Sequence, residues 1–437
     1  MNAEKPEGIE TNEPPKSPSK ATESERTRAS AAAAGAKPAG SRFAALSEPT
    51  FRRYWLGSIG TIGSTQLLFI GMGWLVFQLT GSPFDLGLIG LCLSLPAIAF
   101  SFIGGGLADS LDPRRILFAT NLALAAVLLA LAIADRLGVA QVWHVLIAAT
   151  AYGIIAGFDW PTRQSFFPSL LPAEKLPSAV TLMSMLWQGG RMAIPAIGGT
   201  LIAIGGTAGV FALGALGSLA MCAVLYRLPS APKEAKERAP GLLAGVRFIL
   251  QEPLFFTLIG LTWALSFFGI SYMQIMPALA DLLGAGSRGF GAMVSASGVG
   301  SLMGTALIMM RRPHIRNPRR FLLAALTGAG CGLASFALVC WNAQGWAGAW
   351  YLAVGIMIAT HTCASIFYVM TMIVLQQNVP GHLRGRVMGL HGIGFTLIML
   401  GGVFSGGMAA LLHPAAAVLI GSIILLGATA VGNRYLP

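Results

Sequence analysis

Long runs of apolar residues alternate along this chain with short polar breaks that carry nearly all of its charge. A helix needs about 20 apolar residues to cross the hydrocarbon of a bilayer. On that rule twelve runs stand out: Tyr54 to Gln78, Phe84 to Leu107, Ile116 to Ala134, Val142 to Phe158, Leu176 to Ile204, Gly209 to Tyr226, Leu254 to Leu279, Phe290 to Met310, Phe321 to Trp341, Ala347 to Leu375, Val387 to Leu412 and Ala415 to Val431. The pattern predicts an all-α membrane protein. Residues 1–41 break it with charge, proline and small side chains, which predicts a disordered tail without the apolar core of a signal peptide.

Composition sharpens the picture. The 437 residues are 55% hydrophobic and 11% charged, with a mean hydropathy of +0.69, whereas a soluble domain carries roughly 25% charged residues. The 55 glycines and 24 prolines sit largely inside apolar runs, where they read as packing and hinge positions. Arg52, Arg53, Arg114, Arg115, Lys175, Arg227, Arg247, Arg312, Arg319 and Arg320 fall in loops on one side, against Arg136 and Arg288 on the other. By the positive-inside rule both termini are cytoplasmic. The same asymmetry accounts for the net charge of +12, so the chain needs no nucleic-acid partner. Its five cysteines have no metal or disulfide spacing and read as small buried hydrophobes.

An internal repeat divides the chain. Asp112-Pro113-Arg114-Arg115 after the second run reappears as Asn317-Pro318-Arg319-Arg320 after the eighth, 205 residues on, and Leu171-Pro172 before the fifth reappears as Val379-Pro380 before the eleventh. Two parallel six-helix bundles are expected, at 42–227 and 248–437, joined by a cytoplasmic linker at 228–247 and related by an axis along the membrane normal. The interface between them is the expected substrate path.

These residues resemble the major facilitator superfamily. Gly105-Gly106-Leu107-Ala108-Asp109, followed by Asp112 and Arg114-Arg115, is similar to its loop motif G-x-L-A-D-R-x-G-R-K/R, with Ser110 and Pro113 as departures. Gly190, Pro195, Gly198 and Gly199 in the fifth run resemble the exporters' G-x-x-x-G-P-x-x-G-G, with Ile194 replacing one glycine. The stretches Phe51-Arg-Arg-Tyr-Trp-Leu-Gly57, Trp74-Leu-Val-Phe-Gln-Leu-Thr-Gly-Ser82 and Leu383-Arg-Gly-Arg-Val-Met388 are similar to the enterobactin-exporter and transmembrane secretion effector branch. The resemblance implies twelve transmembrane helices in two pseudo-symmetric bundles, and a latch in which Asp109 pairs with basic groups and the N-terminus of span eleven.

Several residues stand out as carriers of function. Arg191 lies about fifteen residues into its run, near the midplane at about 1.5 Å per residue, where a charge costs at least about 2.5 kcal/mol and must face a cavity or a polar partner. Gln66, Trp74, Gln188, Tyr272 and Gln274 are candidates for the cavity wall. Asp109, Arg114, Arg115, Asp159, Arg163, Arg384 and Arg386 fall at cytoplasmic span ends and suit a gate, set against the modest worth of exposed ion pairs, often under about 1 kcal/mol. No carboxylate is expected deep within a span; Asp85, Asp281, Asp159, His361 and His391 remain as groups that could titrate. Without a P-loop, a metal-ligand pair or a nucleophile elbow, the chain reads as neither ATPase nor enzyme, and no cofactor is implied.

The expected protein is a monomeric secondary transporter of the bacterial inner membrane that exports small organic amphiphiles, siderophores or drug-like compounds, by alternating access coupled to protons. An importer of nutrients on the same scaffold and a non-transporting receptor or scaffold are the competing expectations.

Overall fold

The computed structural model describes residues 43–110, 112–229, 247, 249–311, 318–346 and 348–435; the expected tail and most of the linker lie outside them. Among the described residues, helices with defined bounds follow a short 3₁₀ turn at Ala44–Ser47: α1 (Pro49–Thr80), α2 (Pro83–Ser110), α3 (Pro113–Arg136), α4 (Val142–Phe166), α5 (Leu176–Arg227), α6 (Pro253–Ala264), α7 (Met276–Leu282), α8 (Gly286–Arg311), α9 (Pro318–Trp341), α10 (Ala349–Asn378), α11 (Gly381–Leu411) and α12 (Pro414–Tyr435). There is no strand among the described residues. Proline opens α1, α2, α3, α6, α9 and α12, where its preset φ helps and its missing N–H costs nothing. Asp112 caps α3, its carboxylate accepting from Arg114 N at 3.0 Å.

Helices and crossings do not correspond one to one. At about 1.5 Å per residue the 52 residues of α5 would run about 78 Å, far more than the ~30 Å of hydrocarbon. Gly206 resolves this with φ +74°, a left-handed conformation that glycine adopts freely, and splits α5 into arms 176–205 and 207–227. The seventh crossing is instead made of pieces: α6 passes into a π-turn at Leu265–Ile270, a 3₁₀ stretch at Ser271–Ile275 and then α7. The apolar pattern predicts one continuous helix there; the break is a correction to it. Among the described residues eleven segments are long and apolar enough to span, one of them the double-length α5, which gives twelve crossings.

The repeat has a structural signature. Trp55 Nε1 of α1 donates to Leu182 O on the first arm of α5 at 3.2 Å, and Trp263 Nε1 of α6 donates to Leu390 O of α11 at 3.1 Å. Both partners of the second clamp stand 208 residues after those of the first. The apolar clusters around the clamps repeat at the same interval: Phe51, Phe167, Ala179 and Leu182 in one half answer to Ile259, Leu375, Val387 and Leu390 in the other.

The halves meet along two seams, α2 against α11 and the first arm of α5 against α8. Glycine makes both possible by bringing backbone to backbone. A Cβ on Gly87 would stand 2.5 Å from Gly402 O, and one on Gly90, Gly199 or Gly291 would overlap the carbonyl of Met399, Ser287 or Pro195. Across the second seam Ala196 N donates to Ser295 Oγ at 2.8 Å. Trp74 of α1 stacks on Phe290 of α8, 5.9 Å between centroids. All these contacts lie toward the end of the bundles with few basic residues, the arginine-poor end. On α5 the row that touches α8, Gly199 to Pro195 to Met192, continues through half-buried Gln188 to Met185, which is 60% exposed. The seam is therefore closed at the arginine-poor end and parts toward the arginine-rich one.

Overpacking this seam tests its role. Gly291→Val is expected to cost about 1–3 kcal/mol in the closed arrangement. A cysteine at Gln66, in a background lacking the native cysteines, should then be labelled at least about fivefold faster by an impermeant maleimide from the arginine-poor face. Unchanged labelling would count against the seam as the barrier.

Candidate functional site

The first arm of α5 presents three faces, and the residues that occupy two of them place Arg191. Gly190 and Gly198 pack on α1, against Ile62, Leu67 and Ile70, while Met192, Pro195, Ala196 and Gly199 meet α8. Ala193, Ile197, Thr200 and Ile204 form an exposed stripe on the outer side. At 100° per residue Arg191 falls between the α1 and α8 contacts, opposite that stripe. It is exposed there, so the space it meets is the chamber between the halves rather than lipid. Gln188 and Ser184, three and seven residues earlier, share its face. Pro195 cannot donate to Arg191 O, and that freed carbonyl packs beside Gly298, where a Cβ would stand 3.1 Å away. The Arg191 side chain makes no hydrogen bond or ion pair among the described residues.

The chamber narrows above Arg191. Gly73 of α1 abuts Pro277 and Phe290, and with the Trp74–Phe290 stack it forms a lid between the halves. Gln66 lies seven residues before Gly73, half-buried on the same face of α1. The other wall candidates sit elsewhere. Trp74 belongs to the lid. Tyr272 is buried inside the second half against Phe336 of α9 and His361 of α10, its hydroxyl without a partner. Gln274 donates to Met399 Sδ at 2.7 Å and fills the space beside Gly402.

A second polar site lies within the first half. The sequence pattern ends span four at Phe158 and leaves Asp159 and Arg163 at its mouth; α4 in fact continues to Phe166 and carries both inside the bundle. Arg163 grips Asp159 with two hydrogen bonds of 2.9 Å, and the side chains are only 5% and 19% exposed. Thr120 of α3 donates to Asp159 Oδ1 at 2.9 Å, and Arg163 donates to the Tyr54 hydroxyl of α1 at 3.4 Å. The expectation that no carboxylate is embedded is thus corrected: an i, i+4 pair neutralises itself and costs far less than a lone charge. Asp159 also lines a cavity of about 50 Å³ with Thr61, Thr65, Asn121 and Tyr152, room for a few waters. Thr61 donates to Asn121 Oδ1 at 2.8 Å. A search for charges alone misses Thr61, Asn121 and Thr120; polar residues recurring at helical spacing within apolar runs are the signal.

Of the expected gate, Arg114 donates to Leu228 O and Arg115 stands 4.0 Å from Asp112 while 85% exposed. Gly105, Asp109, Arg384 and Arg386 are on α2 and α11, with side chains outside the described ones. Among the described residues Asp159 and Arg163 bind partners in their own half only. His361 and His391 are buried in the second half. Asp85 opens α2 and Asp281 lies near the end of α7, both at the arginine-poor end.

Comparison with known proteins agrees with this architecture. The profile of the family described as transmembrane secretion effector matches residues 40–436. The MFS-type transporter YfiS of Bacillus subtilis is 25% identical over 87% of this chain and 93% of its own. The enterobactin exporter EntS of Shigella dysenteriae is 24% identical over 86% of this chain and 91% of its own. Among solved structures, an inward-facing, unoccupied bacterial homologue of the human lysosomal transporter Spinster superposes with a TM-score of 0.69 at 14% identity, covering 89% of this chain and 97% of that one. A D-xylose-proton symporter gives 0.65 at 16%, covering 88% and 98%. These structural likenesses show the fold.

Breaking the Asp159–Arg163 pair from one side leaves a mostly buried charge without its partner. Arg163→Ala is expected to cost roughly 3 kcal/mol, read as a lowered unfolding midpoint in detergent, and the neutral pair Asp159→Asn with Arg163→Gln should recover most of it. Equal losses in both would show that packing, not charge, holds the site.

Proposed function

This chain belongs to the transmembrane secretion effector family of the major facilitator superfamily, and on that premise we propose that it exports small organic amphiphiles, siderophores or drug-like compounds, in exchange for protons. The observation that carries the reading is the chamber itself, sealed between Trp74 and Phe290 and parted at the opposite end around the α5 face that holds Arg191. One site reached from one side at a time is what alternating access requires. Kinship with a named exporter, EntS, supports the outward direction. The positive-inside rule makes the arginine-rich end cytoplasmic, so the conformer described is open inward, with both termini in the cytoplasm of a bacterial cell and the protein monomeric in its inner membrane. In this reading the moving bodies are residues 42–227 and 248–437, tethered by the linker at 228–247.

Asp159 and Arg163 are proposed as part of the gate: the pair gathers α1, α3 and α4 beside a cavity with room for water. Asp109 with Arg114, Arg115, Arg384 and Arg386 is the proposed latch of the opposite, outward-open state.

Transport into inverted vesicles with an acid interior decides the matter. At least one siderophore or drug-like amphiphile should accumulate, and a protonophore should abolish the accumulation. No gradient-dependent uptake of any of them would refute export, and accumulation by whole cells instead would mark an importer. Asp109→Asn is expected to lower turnover about tenfold, the equivalent of one charge-assisted hydrogen bond of about 1.4 kcal/mol; normal kinetics would remove Asp109 from the cycle.

A further inference from the structure

We infer that the chamber takes an organic anion, with its acid group held by Arg191 and an aromatic or flat apolar body lying toward the opening. The inference rests on the transport reading and narrows its substrate class.

Arg191 is a cation that the fold positions but does not neutralise. It faces the chamber from mid-helix, where solvation is poorest, and no hydrogen bond or ion pair engages it among the described residues. The described carboxylates are committed or distant. Asp159 is held by Arg163 and Thr120, Asp135 accepts from Thr207, Glu48 pairs with Lys175, and Asp85 and Asp281 sit at helix ends beyond the seal. Among the described residues His361 also lies in the field of Arg191; its Nδ1–H donates to Met357 O at 3.1 Å, and it supplies no negative charge. An anion entering the chamber therefore meets an unmatched guanidinium and a planar fork of donors suited to a carboxylate or similar group. A cation meets only repulsion.

The surface next to Arg191 describes the rest of the molecule. One turn toward the opening, Trp187 packs edge-on against Trp160 of α4 at 5.5 Å, and Trp160 is 52% exposed. Four residues of helix put this aromatic shelf about 6 Å from the charge along the axis. An acid group joined closely to a ring system spans that distance.

The test uses the full-length purified protein and a matched pair of fluorescent probes, dansylglycine and its neutral analogue dansylglycinamide. Equilibrium titration should show the carboxylate binding about tenfold more tightly, the worth of one charge-assisted contact. Arg191→Gln should erase that preference and Arg191→Lys should retain part of it. If Arg191→Gln does not fold, competition in the wild-type protein reads the same property, with benzoate displacing dansylglycine at lower concentration than benzamide. Equal affinity for the two dansyl probes, failure of both to bind, or a preference that survives Arg191→Gln would overturn the assignment. Proton-driven uptake of neutral amphiphiles beside such a result would sink the anion and leave transport standing. Arg191-dependent binding without any driven uptake would do the reverse.

Discussion

In hydrocarbon, helices gain nothing by hiding apolar side chains from one another, because lipid tails are as apolar as leucine. What joins the two halves of this molecule is therefore close packing, and its tightest form, backbone on backbone, is available only where a Cβ is missing. Gly87, Gly90, Gly199, Gly291 and Gly402 supply it along both seams. They stand toward the arginine-poor end, where the halves are closed on one another.

The two halves share their scaffolding and differ in their chemistry. The indole clamps and their apolar surroundings repeat at 208 residues, yet the position matching Arg163 is Thr371, that matching Asp159 is Phe367, and that matching Tyr54 is Thr262. The first half thus carries a charged cluster beside a cavity of about 50 Å³. The second carries Thr371, Ser266 and His391 with polar atoms left unpartnered. The two halves are thus alike in build and unlike in charge.

Much of this was legible in the chain. Apolar runs of the right length gave the crossings, the Pro-Arg-Arg and Leu-Pro correspondences gave the repeat, and the glycines around Pro195 marked the helix that forms a seam. Asp159 and Arg163 were visible as residues but misplaced, since a hydropathy reading ends a span at the first charges and cannot know that two of them cancel one turn apart. The break in the seventh crossing left no trace, because Leu265–Ile270 is as apolar as any regular helix. Trp74 and Tyr272 looked like wall residues for the same reason: composition identifies an aromatic side chain but not the neighbour that covers it.

That broken crossing has a mechanical consequence. The carbonyls of Phe267 and Phe268, turned outward by the π-turn, nest against Gly401 of α11 and Gly421 of α12. A π-turn holds one more residue than the α-turn it replaces, so this helix carries a reserve of length. Its counterpart α1, helical without interruption from Pro49 to Thr80, has no such extra residue.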